Sequence, residues 1–125
     1  MTGKTERKDI SAILVDAIIK GIQEKKGKEI IQLNLGKIHS AVCDYFVICH
    51  GSSGTHAAAI AESVEEEVKK STGFNPARRE GFTNGEWILL DYLDVVVHVF
   101  QEPIRRYYQV EDLWADAPVK KIAEE

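Results

Sequence analysis

With 125 residues, 44% of them hydrophobic, the chain can enclose one core and is too short for two. Twenty acidic against sixteen basic side chains leave a formal net charge of −4, which excludes broad, sequence-independent attachment to a phosphate backbone, a mode that needs a basic surface. Cys43 and Cys49 form no C-x-x-C pair and no disulfide framework, so both read as small apolar residues in a reduced, cytoplasmic setting.

Residues 1–8 are polar and read as a flexible N-terminal segment, after which Asp9 can cap a helix whose Ile10, Ile13, Leu14, Ala17 and Ile18 recur at three and four. Asp16 and Lys20 interrupt that apolar stretch, and no run approaches membrane-spanning length, so a soluble, unexported protein is expected. Gly27 ends the helix, Glu29–Leu35 alternates as a strand, and Gly36–Cys43 connects to Asp44–His50, apolar on both sides and therefore a central strand. Gly51-Ser52-Ser53-Gly54 is a strand-to-helix turn in which Ser52 or Ser53 caps a helix to about Ser71. That helix points Ala57, Ile60, Ala61, Val64 and Val68 inward, with Glu65–Lys69 and Glu66–Lys70 as i,i+4 pairs outside.

Thr72–Pro76 is a loop, Ala77–Glu80 a short strand and Gly81–Gly85 a turn. Trp87–Tyr92 and Asp94–Phe100, rich in β-branched and aromatic residues and separated only by Leu93, form a hairpin. Pro103 opens a last helix to Trp114, and Ala115–Glu125 lacks an apolar face. The expected fold is α/β, a mixed β-sheet flanked by helices, with a domain over 9–117 and a C-terminal tail over 118–125.

Three patterns could carry chemistry. The Gly51–Gly54 turn could hold an anion at a helix N-terminus, and as part of a nucleotidyl-transfer enzyme Ser52 and Ser53 would need Asp91 and Asp94 to hold magnesium. Those two aspartates straddle a turn and do not share a strand face as a D-x-D pair would, so an ordinary serine cap is favoured. His50 and His56 beside Cys49 match no metal spacing, His39 and Cys43 make no nucleophilic pair, and His98 shares a face with Val96 and Phe100 as a sheet residue. No cofactor, metal or catalytic residue is expected. The third pattern is a cluster of Trp87, Tyr92, Arg105, Arg106, Tyr107, Tyr108 and Trp114, the residue types that dominate binding hot spots. Tyr107 and Trp114 read as sealing the sheet, Trp87 and Tyr108 as docking residues.

The runs Asp44–Cys49 with Gly51-Ser52-Ser53, Glu80-Gly81, Trp87–Tyr92, Asp94–Phe100, Arg105–Tyr108 and Leu113-Trp114 together closely resemble the ribosomal silencing factor (RsfS, Iojap-like) family over about residues 9–117. The resemblance implies a fold like that of nucleotidyltransferases without their catalytic carboxylates, and a non-catalytic repressor of translation. Such a factor docks on the large ribosomal subunit through its fourteenth protein, uL14, and blocks the small subunit by bulk. It also implies partner-binding residues Trp87, Asp91 and Tyr108 with neighbours Tyr92, Leu93, Asp94 and Arg79, and a homodimer in the free state. An acidic protein with an aromatic edge suits a basic ribosomal protein better than bare RNA. Where the family usually has glycine in the hairpin turn this chain has Leu93, so another turn type is expected there. The remaining alternatives are the nucleotidyltransferase-like enzyme and a self-associating adaptor.

Overall fold

A computed structural model describes residues 3–36, 43–114 and 116–124, with side chains from Ile10 onward. His39 lies outside the described residues. The elements are α1 (Gly3–Glu24), β1 (Lys28–Asn34), β2 (Tyr45–Gly51), α2 (Gly54–Thr72), β3 (Arg78–Glu80), β4 (Trp87–Asp91), β5 (Val95–Gln101), α3 (Glu102–Tyr108), a 3-10 turn (Val110–Trp114) and β6 (Val119–Lys121). The strands form one six-stranded mixed sheet in the order β3-β4-β5-β2-β1-β6. Only β2 and β5 pair in parallel, and they are the two central strands. Near-continuous burial of both explains why their sequences are apolar on both faces.

The two faces of the sheet are covered differently. Helices α1 and α2 pack together over one face, burying Leu14, Ile18, Ile22, Ile60, Val64 and Val68 against Val47, Cys49, Ile88, Leu90, Val97 and Val99. Close contact between the helices depends on Gly21, where a Cβ would lie 2.6 Å from the Val64 Cα. Among the described residues, the opposite face buries Leu33, Phe46, Ile48, Val96 and Phe100 with Leu35, Cys43, α3, the 3-10 turn and Ala117.

Several elements depart from the sequence expectations. Helix α1 begins at Gly3, so Asp9 lies within it and not at its cap. Its buried stripe runs through Ser11, Leu14, Val15, Ile18 and Ile22, leaving Ile10 and Ile13 exposed. The two expected pairs on α2 are replaced by better-placed partners: Glu65 accepts two bonds from Arg79, Lys69 donates to the Gly73 carbonyl at the C-cap, and Lys70 pairs with Glu67. A planar guanidinium and an orphan helix-end carbonyl both outcompete a solvated lysine–glutamate pair. The last helix breaks at Gln109, whose left-handed backbone (φ 47°) ends α3 before the 3-10 turn begins. Part of the expected tail, Val119–Lys121, is an edge strand paired antiparallel with Ile31–Leu33. Three residues exposed on both faces leave no alternation to read, which is why the strand is invisible in the sequence.

The β4–β5 turn takes a backbone conformation that suits glycine. The Tyr92 N–H donates to the Val95 carbonyl at 2.9 Å, closing a two-residue loop in which Leu93 holds φ at +72°. An Asp91 Oδ1 acceptor for the Leu93 N–H at 2.8 Å fixes the loop from the side. The leucine side chain is therefore carried in a disfavoured conformation. A left-handed conformation costs a non-glycine residue about 1–2 kcal/mol, part of which glycine would return as greater freedom of the unfolded chain. Leu93→Gly is accordingly expected to raise folding stability by up to about 1 kcal/mol, read from urea midpoints; a lowered midpoint would contradict the strained-turn account.

Candidate functional site

The surface singled out by the sequence is built on β4. Burial alternates along it, so Ile88 and Leu90 enter the helix-covered core while Trp87, Leu89 and Asp91 stand half-buried on the other face. Gly81 allows the preceding turn to press against this strand: at φ +88°, a Cβ there would lie 2.0 Å from the Trp87 carbonyl oxygen. The indole of Trp87 lies 4.9 Å from the Phe100 ring and 5.2 Å from the Tyr108 ring, centroid to centroid. Its Nε1–H donates to His98 Nδ1 at 3.1 Å.

These contacts belong to a row of rings across the thinly covered face. Trp114 meets Phe46 at 5.7 Å, Phe46 meets His98 at 4.6 Å, and beyond Trp87 and Tyr108 the row ends at Tyr107, 5.0 Å from Tyr108. Trp114 is half-buried and seals the sheet as expected. Tyr107 does not: it is 80% exposed, beside a Tyr108 that is 52% exposed. The cause is Arg105, 2% exposed, whose Nη1 donates to His50 Nδ1 at 2.9 Å and whose Nε donates to Glu111 at 3.1 Å. Two residues further on is roughly 200° around the helix, so burying the guanidinium turns Tyr107 to solvent.

The seven residues expected at the partner surface fall into two groups. Trp87, Asp91 and Tyr108 share the outer face, and Leu93, 67% exposed, stands at the hairpin tip with Asp94. Arg79 and Tyr92 lie behind the sheet: Arg79 is paired in register with Leu90, binds Glu65 of α2 and covers the Phe82 ring at 4.0 Å, while Tyr92 is buried in the helix-side core. Leu89, Arg78, Glu80 and Tyr107 join the outer face. Ala77–Glu80 reads as a short strand, but with both faces exposed it has no alternation to show which side Arg78 and Glu80 take.

The enzyme constellation is not assembled. Ser52 follows the last residue of β2 and Asp94 precedes the first of the parallel β5, so seven paired residues, about 20 Å of strand, separate them. Ser53 is the α2 cap, accepting from the His56 N–H at 3.1 Å. His56 in turn accepts the Ser52 N–H at Nδ1 and donates from Nε2 to the Lys25 carbonyl, tying the end of α1 to the start of α2. Among the described residues one group has the spacing of a metal cradle: Glu29, His50 and Glu102. Arg105 can only donate, which makes His50 Nδ1 an acceptor and leaves the proton on Nε2, facing the two carboxylates. Arg106 binds both of those carboxylates. The group is thus an ion-pair network whose histidine lone pair is already used. Burial also raises the thiols of Cys43 and Cys49 to about 11 and about 12, far from the reactive thiolate range.

Comparison with known proteins gives one family. The family model described as "Ribosomal silencing factor during starvation" matches residues 7–125, and so takes in β6. A ribosomal silencing factor RsfS from Halalkalibacterium halodurans is 38% identical over 109 residues, covering 87% of this chain and 92% of that protein. One from Bacillus subtilis is 42% identical over 99 residues, covering 79% and 82%. A crystal structure of a Chromobacterium violaceum protein superposes with a TM-score of 0.77 at 35% identity, covering 82% of this chain and 83% of that one.

The buried His98 makes stability depend on pH. Burial holds its pKa down to about 4 from the ordinary 6.5. The unfolded chain takes up a proton near the higher value and the folded chain only near the lower, so stability is full above pH 6.5 and is withdrawn as pH falls towards 4. Each tenfold difference in proton affinity between the two states is worth about 1.4 kcal/mol, so the loss expected from this group is about 3 kcal/mol. Urea titrations of wild type and His98→Gln between pH 7 and 4 check this: the wild type should lose more stability than the variant, and parallel losses would contradict it.

Proposed function

The chain belongs to the ribosomal silencing factor family, and we propose that it lowers translation by occupying the large ribosomal subunit, gripping uL14 through the outer face of β4 and α3 so that the small subunit is kept away by bulk. The observation that carries this reading is the row of rings that runs from half-buried Trp87 into open solvent at Tyr108 and Tyr107. Exposed aromatic side chains bring large contact area at small entropic cost, and a net charge of −4 favours approach to a basic ribosomal protein. Asp91 and Leu93 extend the grip along the hairpin, with Asp94 beside them, while Arg79 and Tyr92 support the sheet from behind. Action is by occupancy and needs no catalytic group. In the free protein the same face is the natural place for a homodimer to form, because pairing two copies would cover the exposed rings.

Trp87→Ala and Tyr108→Ala are each expected to weaken binding to purified large subunits by about 2 kcal/mol or more, roughly thirtyfold. Pelleting with large subunits measures the affinity, and a sucrose gradient of mixed subunits measures inhibition of joining. Equal affinity of both variants and wild type would remove this face from the reading, and unimpeded joining in the presence of bound wild type would remove steric blocking.

A further inference from the structure

Between the Gly81–Glu86 turn and α3 lies an open groove of about 440 Å³, lined by Trp87, Tyr107, Tyr108, Ile104, Asn84 and Glu86. Three rings and one carboxylate converge on it. Aromatic faces attract cations through their quadrupole, and a planar guanidinium can stack on a ring while still donating to a carboxylate from its edge. Glu86 is exposed and has no ion-pair partner among the described residues. The protein's own guanidinium groups near this end are engaged elsewhere: Arg78 with Glu80, Arg79 with Glu65, Arg105 with Glu111 and Arg106 with Glu29 and Glu102. The groove therefore offers the surroundings of a cation with none of the described residues' cations in it.

We propose that this groove is a seat for an arginine side chain presented by a partner protein, stacked among Trp87, Tyr107 and Tyr108 and paired with Glu86. The proposal rests on the reading that this face meets a partner, and it names the chemistry of that partner's anchor. Arginine is chosen over lysine because the cluster supplies ring faces together with a carboxylate, which a flat guanidinium can use at once and a compact ammonium cannot. Tyr107 becomes a specificity residue, and the buried Arg105 that turns it outward becomes its positioning residue.

Titrating the nitrogen-15-labelled full chain with Nα-acetyl-arginine amide, the lysine analogue and the neutral citrulline analogue tests the seat directly. The arginine compound should move the Trp87 indole signal and the Tyr107 and Tyr108 amide signals saturably at millimolar concentration, the lysine compound more weakly, and the citrulline compound not at all. Glu86→Gln should weaken the arginine response about fivefold, and Tyr107→Ala, which removes an exposed ring and leaves the core intact, should weaken it as well. Equal shifts from citrulline, a stronger response to lysine, or an unchanged response in Glu86→Gln would overturn the seat. Pelleting with large subunits distinguishes the seat from the ribosomal reading: a saturable arginine response in a protein that does not pellet removes the ribosomal reading and leaves the seat, whereas Trp87-dependent pelleting without an arginine response does the reverse.

Discussion

Unequal cover of the six-stranded sheet is the constraint from which the other features follow. Among the described residues, one face lies under two packed helices of 22 and 19 residues, whereas the other has a seven-residue helix, a five-residue 3-10 turn, Leu35, Cys43 and Ala117. Beneath these elements Ile31, Trp87 and Leu89 stay only partly buried. Large planar side chains close the gap instead, each reaching further across the sheet than an aliphatic residue would, and the row they form from Trp114 to Tyr107 runs from half-buried to open. The same need that completes the fold leaves rings at the surface.

Polar groups on this face then set where the rings point. Arg105 anchors α3 through His50 and Glu111, and the backbone of that helix fixes Tyr107 and Tyr108 relative to the sheet. His98 holds the indole of Trp87 from below, and burial keeps the imidazole neutral so that its Nδ1 remains an acceptor. Arg106 links Glu102 at the start of α3 to Glu29 at the bulge of β1. Docking rings held in advance lose little freedom on association, which is the usual advantage of a preorganised surface.

Most of the architecture could be read along the chain because the period of burial was strong where it mattered. The central strands, the Ser53 cap, the stripe on α2, and the split of Trp87, Leu89 and Asp91 from Ile88 and Leu90 are all as the residue pattern implies. What could not be read involves contacts between residues distant in the sequence. The burial of Arg105 rests on His50 and Lys28, 55 and 77 residues away, as well as on nearby Glu111, so the local sequence does not show that Tyr107 is exposed. Arg79 and Tyr92 sit near Asp91 and Leu93 along the chain yet on the other side of the sheet, because register, not proximity in sequence, decides the face. Leu93 was legible as an oddity, but that the chain would tolerate its left-handed backbone depended on the Asp91 carboxylate.

Ring-bearing surface on the thinly covered face, and not the helical face, is the part of the molecule that meets the ribosome in this account. Amide hydrogen exchange of the full chain, free and with excess large subunits, tests that claim most directly. Exchange should slow in the 81–86 turn, at the β4–β5 hairpin tip and along α3, and stay unchanged across α1 and α2. Slowing confined to α1 and α2, with the hairpin and α3 exchanging as in the free protein, would contradict it.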